Sequence, residues 1–227
     1  MAIKRKSLEF IHSILDKEES KTELLDLGNS YIRGDGVDYI KKNYEMGGFT
    51  YTDNGYGSKK VNIISKQYFT ALGYNHTSID LNGREDSLML DLRNPIVDYT
   101  EYDLINKFDF ILDMGTIEHI DNQYMAFKNI HDMCSVGGIF IHVVPREGYW
   151  MGHCKYKYNL KFFEDLASFN DYEILFLEIN SERDIFCSIR KTKDGDFVSE
   201  SNFNKLPLVI EEGGNFNDRE LYPYAYG

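Results

Sequence analysis

Glu118 and His119 stand side by side in a polar turn after the apolar run Phe108–Asp113, which closes as Asp113-Met114-Gly115. A carboxylate beside an imidazole can take or deliver a proton, and an imidazole with an ordinary pKa of about 6.5 suits proton removal from a hydroxyl. The same pair can instead cap the following helix or fix the loop, and the sequence leaves both readings open. A second cluster lies in Pro145–Tyr158, where the only tryptophan, Trp150, His153 and three tyrosines crowd a Gly-containing segment. Trp150 reads as a packing anchor. An imidazole in such a loop has little packing use, so His153 is assigned to the ligand side. Three more acids close or follow apolar runs: Asp26 before Gly28 and Asn29, Asp80 before Leu81, and Asp91 before Leu92. A carboxylate just past a strand can accept two ribose hydroxyls, and Asp80 is placed for that, although Asp-Leu-Asn-Gly is also good turn chemistry. His142, inside an apolar run, reads as a core histidine. His119 and His131 lack metal-ligand spacing, and no metal is expected.

These residues need elements to hold them. Leu8, Ile11, Ile14 and Leu15 predict an amphipathic helix over 7–19. Thr22–Gly28 reads as a buried strand stopped by glycine. Residues 29–57 are rich in Gly, Asp, Tyr and Asn, with only Val37–Tyr44 helical in pattern; an excursion of this length predicts an inserted lid or binding loop. Lys60–Leu72 has helical periodicity and ends at Gly73, and Tyr74–Asp80 is a second strand. Leu88–Pro95 is a third short apolar segment and Phe108–Asp113 a fourth. A helix over Asn122–Met133, a strand over Ile139–Val144 and a helix over Leu160–Ala167 follow. Tyr172–Ile179 and Ile185–Arg190, joined by a short polar turn, predict an antiparallel hairpin. Strands alternating with helices give an α/β fold, a mostly parallel sheet with helices on both faces and the hairpin at its C-terminal end. Residues 1–190 are expected to form one domain carrying the 29–57 insertion, and 191–227 an irregular extension.

The 227-residue chain has a formal charge of −12. A nucleic-acid ligand demands a basic footprint, and no Lys/Arg cluster beyond Lys4-Arg5-Lys6 is present, so nucleic acid is not an expected partner. A small neutral or cationic ligand fits the charge; a small anion is allowed if met by a local basic patch. Cys134, Cys154 and Cys187 lie far apart and predict free thiols in a reducing cytoplasm rather than a disulfide framework. No apolar run approaches the roughly 18 residues of a membrane span, and the basic N-terminus lacks a signal-peptide core. The protein is expected to be soluble and cytoplasmic.

Leu24–Gly28, Ser78–Asp80, Leu90-Asp91-Leu92, Gly115-Thr-Ile-Glu-His119 and Val136–Pro145 together resemble the class I S-adenosylmethionine-dependent methyltransferases, in particular those acting on small molecules and sugars. The resemblance covers about residues 22–180, interrupted by the insertion, and implies a Rossmann-like fold with S-adenosylmethionine as cofactor. It places Asp26, with Gly28 and Asn29, at the methionine amino group and Asp80 with Leu81 at the ribose. Asp91 would receive the adenine amino group and the Leu92 N–H a ring nitrogen. Asp113, Met114 and Gly115 would line the methionine end, with Glu118, His119 and His153 the catalytic candidates at the acceptor. Some relatives hold a metal with Glu-x-x-Glu-His; Gly115 replaces the first Glu here. The chain also departs at Asn29-Ser30, where the second glycine of the turn is missing. The activity implied is O- or N-methylation of a sugar, a nucleotide-linked carbohydrate or another small metabolite, by a protein compatible with a homodimer. Two rivals stand beside it. A non-catalytic cofactor-binding or interaction module draws support from the altered turn. An NAD-dependent oxidoreductase would want Gly-x-Gly-x-x-Gly, which Gly28-Asn-Ser-Tyr-Ile-Arg33 does not provide.

Overall fold

The computed structural model describes residues 2–18, 20–44, 51–52, 62–180 and 182–211. In chain order the elements are β1 (Ala2–Ile3), α1 (Arg5–Leu15), β2 (Glu23–Leu27), β3 (Tyr31–Arg33), α2 (Asp35–Asn43), β4 (Tyr51–Thr52), β5 (Asn62–Ile64), α3 (Ser65–Ala71) and β6 (Asn75–Ile79). There follow β7 (Phe108–Asp113), α4 (Gln123–Met133), β8 (Cys134–Pro145), β9 (Tyr156–Lys157), α5 (Leu160–Asn170), β10 (Glu173–Asn180), β11 (Asp184–Arg190), α6 (Glu200–Phe203) and β12 (Val209–Ile210).

The main sheet has six strands in the order β10-β11-β8-β7-β2-β6. β8, β7, β2 and β6 run parallel, while β11 and β10 close the edge as the expected antiparallel hairpin. Both faces are covered, as a parallel sheet requires. The period-two alternation of strand side chains divides the core. Leu24, Phe110, Ile139 and Ile141 face Leu8, Ile11, Tyr68 and Phe69 of α1 and α3. Leu25, Ile111 and Phe140 face Phe127, Ile130, Phe162 and Phe163 of α4 and α5. The chain leaves β2 for β6 on one side and returns to β7 on the other, so a topological switch point lies between the carboxyl ends of β2 and β7.

Three expectations change. Lys60–Leu72 is not one helix: its described part is the strand β5 followed by α3, because the β-branched Ile63 and Ile64 pair with β3 and β4, and helix starts only at Ser65, whose N–H donates to Ser30 O at 3.0 Å. Leu88–Pro95 adds no strand to the sheet. It touches β6 through a single bridge, Ile79 to Leu88, and then runs as a loop pinned by the buried Asn129, whose Nδ2 donates to Leu92 O (3.0 Å) and Asn94 O (2.8 Å). The 29–57 stretch is more structured than a loop with one helix. Its strands β3 and β4 join β1 and β5 in a second sheet, β1-β3-β5-β4, at the edge of the site. Residues 45–50 and 53–57 of that stretch lie outside the described residues.

The C-terminal segment, described to residue 211, carries α6 and β12; β12 pairs with β9, and Phe197, Val198, Phe203 and Leu206 enter the α4/α5 core. The buried Lys191 amino group donates to Asn106 Oδ1, His131 O and Cys134 O, each at 3.0 Å. Among the described residues no helix is long and apolar enough to cross a membrane.

Arg190 at the end of β11 reaches Glu18 beyond α1 at 2.6 Å, and Lys21 adds a second cation at 2.8 Å. The Arg190 hydrogen bond outweighs the opposing effect of burial and holds the Glu18 carboxyl at about 2. Its stabilisation is therefore complete above the unfolded carboxyl's value of about 4.5 and is lost as pH falls through about 2. Because the pair is partly solvated, Arg190→Ala should cost only about 1 kcal/mol near neutrality. Urea denaturation of the two proteins should show that difference shrinking steadily below about pH 4.5.

Candidate active site

Asp26 is the last polar residue of β2 and is fully buried. Its Oδ2 accepts from Ser30 N–H at 3.0 Å and from the Ser65 hydroxyl at 2.6 Å, and its Oδ1 accepts from the Ser30 hydroxyl at 2.8 Å. Burial acts to raise its pKa, but nearby His76 and the two serines outweigh that, and the net shift is downward. Asp26 lies in the wall of neither cavity described below. On the α1/α3 face of β2 its oxygens meet donors from the 28–30 turn and from Ser65, a structural role beside the methionine amino group that the resemblance implies for it. Gly28 makes that turn with φ 83°, donating its N–H to Ile79 O at 2.7 Å. Asn29, also at positive φ, donates from Nδ2 to Arg84 O at 3.0 Å and is likewise part of the turn rather than of a cavity wall.

Asp113 is the counterpart on β7 and faces the other core. Its Oδ1 accepts from the N–H groups of Thr116 (2.9 Å) and Ile117 (3.3 Å), and its Oδ2 lies 2.9 Å from His142 Nδ1. Asp113 too is a positioning residue, not a wall residue, and His142 is the satisfied core histidine its setting predicts. Thr116 ties the turn to β2 by donating its hydroxyl to Leu27 O at 2.5 Å.

Two contiguous cavities open at the carboxyl ends of the parallel strands. A narrow slot is lined by Ile79, Leu81, Leu90, Asp91, Leu92, Ile120 and Asp121. A wider cavity of about 440 Å3 is lined by Lys4, Arg33, Met114, Gly115, Glu118, Pro145, Trp150, His153 and Asp184, among others. Gly28, Asp80, Thr116 and His119 belong to both walls and mark the junction. Asp80 Oδ1 accepts from Asn82 N–H at 3.1 Å, and burial pushes its pKa up. At the slot, Asp91 is gripped by the Arg93 guanidinium at 2.7 Å; burial opposes ionisation, Arg93 favours it, and the net shift is downward.

The Ile117–His119 segment is a single 3-10 turn. Gln123 fixes it by donating from Nε2 to Ile117 O (2.6 Å) and Ile120 O (2.8 Å), while Tyr158 donates to Gln123 Oε1 at 2.6 Å. Asn122, not Glu118 or His119, caps α4 by accepting from Met125 N–H. Glu118 is 3% exposed, and burial followed by the charge of Asp113 drives its pKa well up. Burial and His153 push His119 down to about 4, so it is a neutral imidazole near pH 7 and a weaker base than an ordinary histidine. The His119 and His153 rings meet edge-on at 5.2 Å, and Trp150 lies against His153 at 5.2 Å. Trp150 is anchored by its Nε1–H to Asp184 Oδ1 at 2.8 Å. Ligand atoms of Glu118, His119 and His153 all lie within 4.8 Å of one another. Spacing along the chain hides this cluster, since the third member comes from the loop after β8. Sequence reasoning also missed Arg33, Thr116, Ile120 and Asp184: Thr116 lies within the Gly115–His119 motif but has no assigned role of its own there, the other three sit in no motif, and the second sheet that brings Arg33 inward has no strong pattern.

No protein-family model matches the chain, and no curated protein matches it. Solved structures do. The 1,6-didemethyltoxoflavin-N1-methyltransferase of Burkholderia thailandensis, solved with 1,6-didemethyltoxoflavin and S-adenosylhomocysteine, is 15% identical, with 83% of this chain and 78% of that one covered and a TM-score of 0.50. A Listeria monocytogenes protein named as a candidate S-adenosylmethionine-dependent methyltransferase is 12% identical over 82% of this chain and 100% of its own, with a TM-score of 0.49. A SAM-dependent methyltransferase from Aquifex aeolicus is 11% identical over 79% and 88%, with a TM-score of 0.40. At these identities the likeness shows the fold, the Rossmann-like α/β fold of the class I methyltransferases.

Removing the Asp26 carboxylate should act on stability first. Asp26→Ala leaves the Ser30 and Ser65 donors buried without their acceptor and should cost about 3 kcal/mol in urea denaturation. A variant with full stability and selectively weakened ligand binding would instead put Asp26 in contact with the ligand.

Proposed function

We propose that this protein transfers a methyl group from S-adenosylmethionine to a small-molecule acceptor. The observation that carries the reading is Asp80 at the junction of the slot and the wide cavity, at the carboxyl end of β6 and beside the switch point between β2 and β7. The slot takes the adenosine. Its apolar walls, Ile79, Leu90, Leu92 and Ile120, suit a flat ring, with Asp91 and the Leu92 backbone at its polar edge. Asp80 accepts the ribose hydroxyls. Gly28, and Gly115 at φ 90°, give backbone clearance where the cofactor crosses toward the wide cavity. Asp26 and Asp113 serve indirectly, by holding the turns that carry Gly28 and Met114–Thr116.

The cofactor supplies an activated methyl on sulfur, so the protein's task is alignment and exclusion of water. Met114, Gly115 and Thr116 line the wide cavity where the methyl would emerge, facing the side of His119 and His153. Two neutral imidazoles there can orient an acceptor hydroxyl or amine, and the low basicity of His119 favours hydrogen-bond orientation over outright deprotonation. Lys4 and Arg33 stand in the same wall as Asp80, Glu118 and Asp184, and these two cations support a sugar or nucleotide-linked acceptor carrying an anionic group. The net charge of −12 supports a small acceptor over a nucleic acid.

Calorimetry with S-adenosylmethionine and S-adenosylhomocysteine should give saturable binding to one site, and NAD should give none. Asp80→Ala should weaken both ligands by at least about tenfold with an unchanged melting temperature, since a charge-assisted hydrogen bond of that kind is lost. Absence of binding in folded protein, or binding of NAD instead, would overturn the assignment.

A further inference from the structure

We propose that Glu118, His119 and His153 form a binding site for a divalent first-row transition-metal ion in the wall of the wide cavity. The three side chains converge from two separate segments, the 3-10 turn after β7 and the loop after β8, with one ligand atom of each within 4.8 Å of the others. Two of the three carry an unexplained polar atom. Glu118 Oε2 and His119 Nδ1 are buried and have no hydrogen-bond partner among the described residues, although the side chains are only 4% and 6% exposed. A carboxylate and an imidazole are not left half-satisfied without cost, and their facing atoms, Glu118 Oε1 and His119 Nε2, lie 3.8 Å apart.

The donor set selects the ion. Two imidazoles and one carboxylate fit Zn2+, Co2+ or Mn2+ better than Ca2+ or Mg2+, which prefer oxygen alone. An ion bonded at about 2.1 Å brings its donors to roughly 3.4 Å from one another, so the cluster must tighten by about an ångström. His153 is the exposed member and can swing inward. Three protein ligands leave at least one coordination position open, and all three line the wide cavity, so that position faces the space assigned to the acceptor. On the methyltransferase reading, on which this clause alone rests, the bound ion would take the place of direct hydrogen bonds from His119 and His153 to the acceptor, select acceptors with two adjacent oxygens and lower the pKa of the one to be methylated. The first-Glu position of the Glu-x-x-Glu-His pattern is Gly115; His153 supplies the third ligand from elsewhere in the chain.

Trp150 makes the test direct. It is the only tryptophan of the chain and its ring lies 5.2 Å from that of His153, so a paramagnetic ion at the site quenches it. Full-length protein, stripped with a chelator, is titrated with Co2+ at neutral pH while tryptophan emission and the visible absorption of the cobalt are followed. Saturable quenching at one equivalent, reversed by Zn2+, is the expected result. His153→Ala and the isosteric Glu118→Gln should each raise the Co2+ midpoint by at least about tenfold. Circular dichroism on each variant separates loss of the site from loss of the fold. The idea is overturned if wild-type protein shows no saturable quenching, or if folded variants keep the wild-type midpoint. S-adenosylmethionine binding to the stripped protein reports the other reading separately: cobalt bound without it leaves the metal site standing and removes the methyltransferase assignment, and the converse holds.

Discussion

Two buried carboxylates at the ends of neighbouring strands hold the site together. Asp26 on β2 and Asp113 on β7 sit one register step apart, since Asp113 pairs with Leu27, and they point to opposite faces of the sheet. Each is fully buried, and a buried carboxylate must be met by donors. Beyond the end of a parallel strand the nearest free donors are the N–H groups of the turn that follows. Asp26 therefore draws the 28–30 turn back over its strand and Asp113 does the same with 114–117. The two turns diverge to opposite sides, and the crevice between them is the cavity junction. Shape at the site is thus a by-product of satisfying charge inside the sheet.

The same logic extends outward in smaller steps. Thr116 links the two turns by reaching Leu27 O, Gln123 holds the Glu118–His119 turn from α4, and Asn129 holds the 88–96 loop from the next turn of the same helix. All three are buried polar side chains bonded to backbone groups, which is the usual way irregular chain is kept in one shape next to a core. α4 consequently acts as a rigid back wall: its apolar face packs on the sheet while its polar buried residues position two different loops.

Much of this was legible in the sequence, and the limits have physical causes. β7, the antiparallel hairpin and helices on both faces follow from long runs with clear period, and Phe108–Asp113 has the bounds its apolar pattern predicts. Asp80, Leu81, Asp91, Leu92, Met114, Gly115, Glu118, His119 and His153 all line one cavity or the other. Asp26, Asn29 and Asp113 do not, because a strand-end acid looks the same in sequence whether it faces a ligand or its own turn. Only the neighbours decide, and for Asp26 one of those is Ser65, which lies across the insertion. β3 and β5 escaped notice because strands of three residues carry no measurable period, and β5 runs directly into α3, so the combined pattern mimics one helix. The Glu118–His119–His153 cluster is a meeting of loops that only tertiary structure creates.

The second sheet separates two kinds of wall. The slot is built by loops of the main sheet, after β2, β6 and β7, whose shape is fixed by buried charge and by the core beneath. The wide cavity borrows its additional wall from β1, β3, the loop after β8 and the first residue of β11. Substitutions in those borrowed pieces alter what fits the larger space while leaving the carboxylate-held turns alone. The arrangement is evolvable in a specific sense: selectivity can drift in one compartment under mutation without placing the other, or the stability of the sheet, at risk.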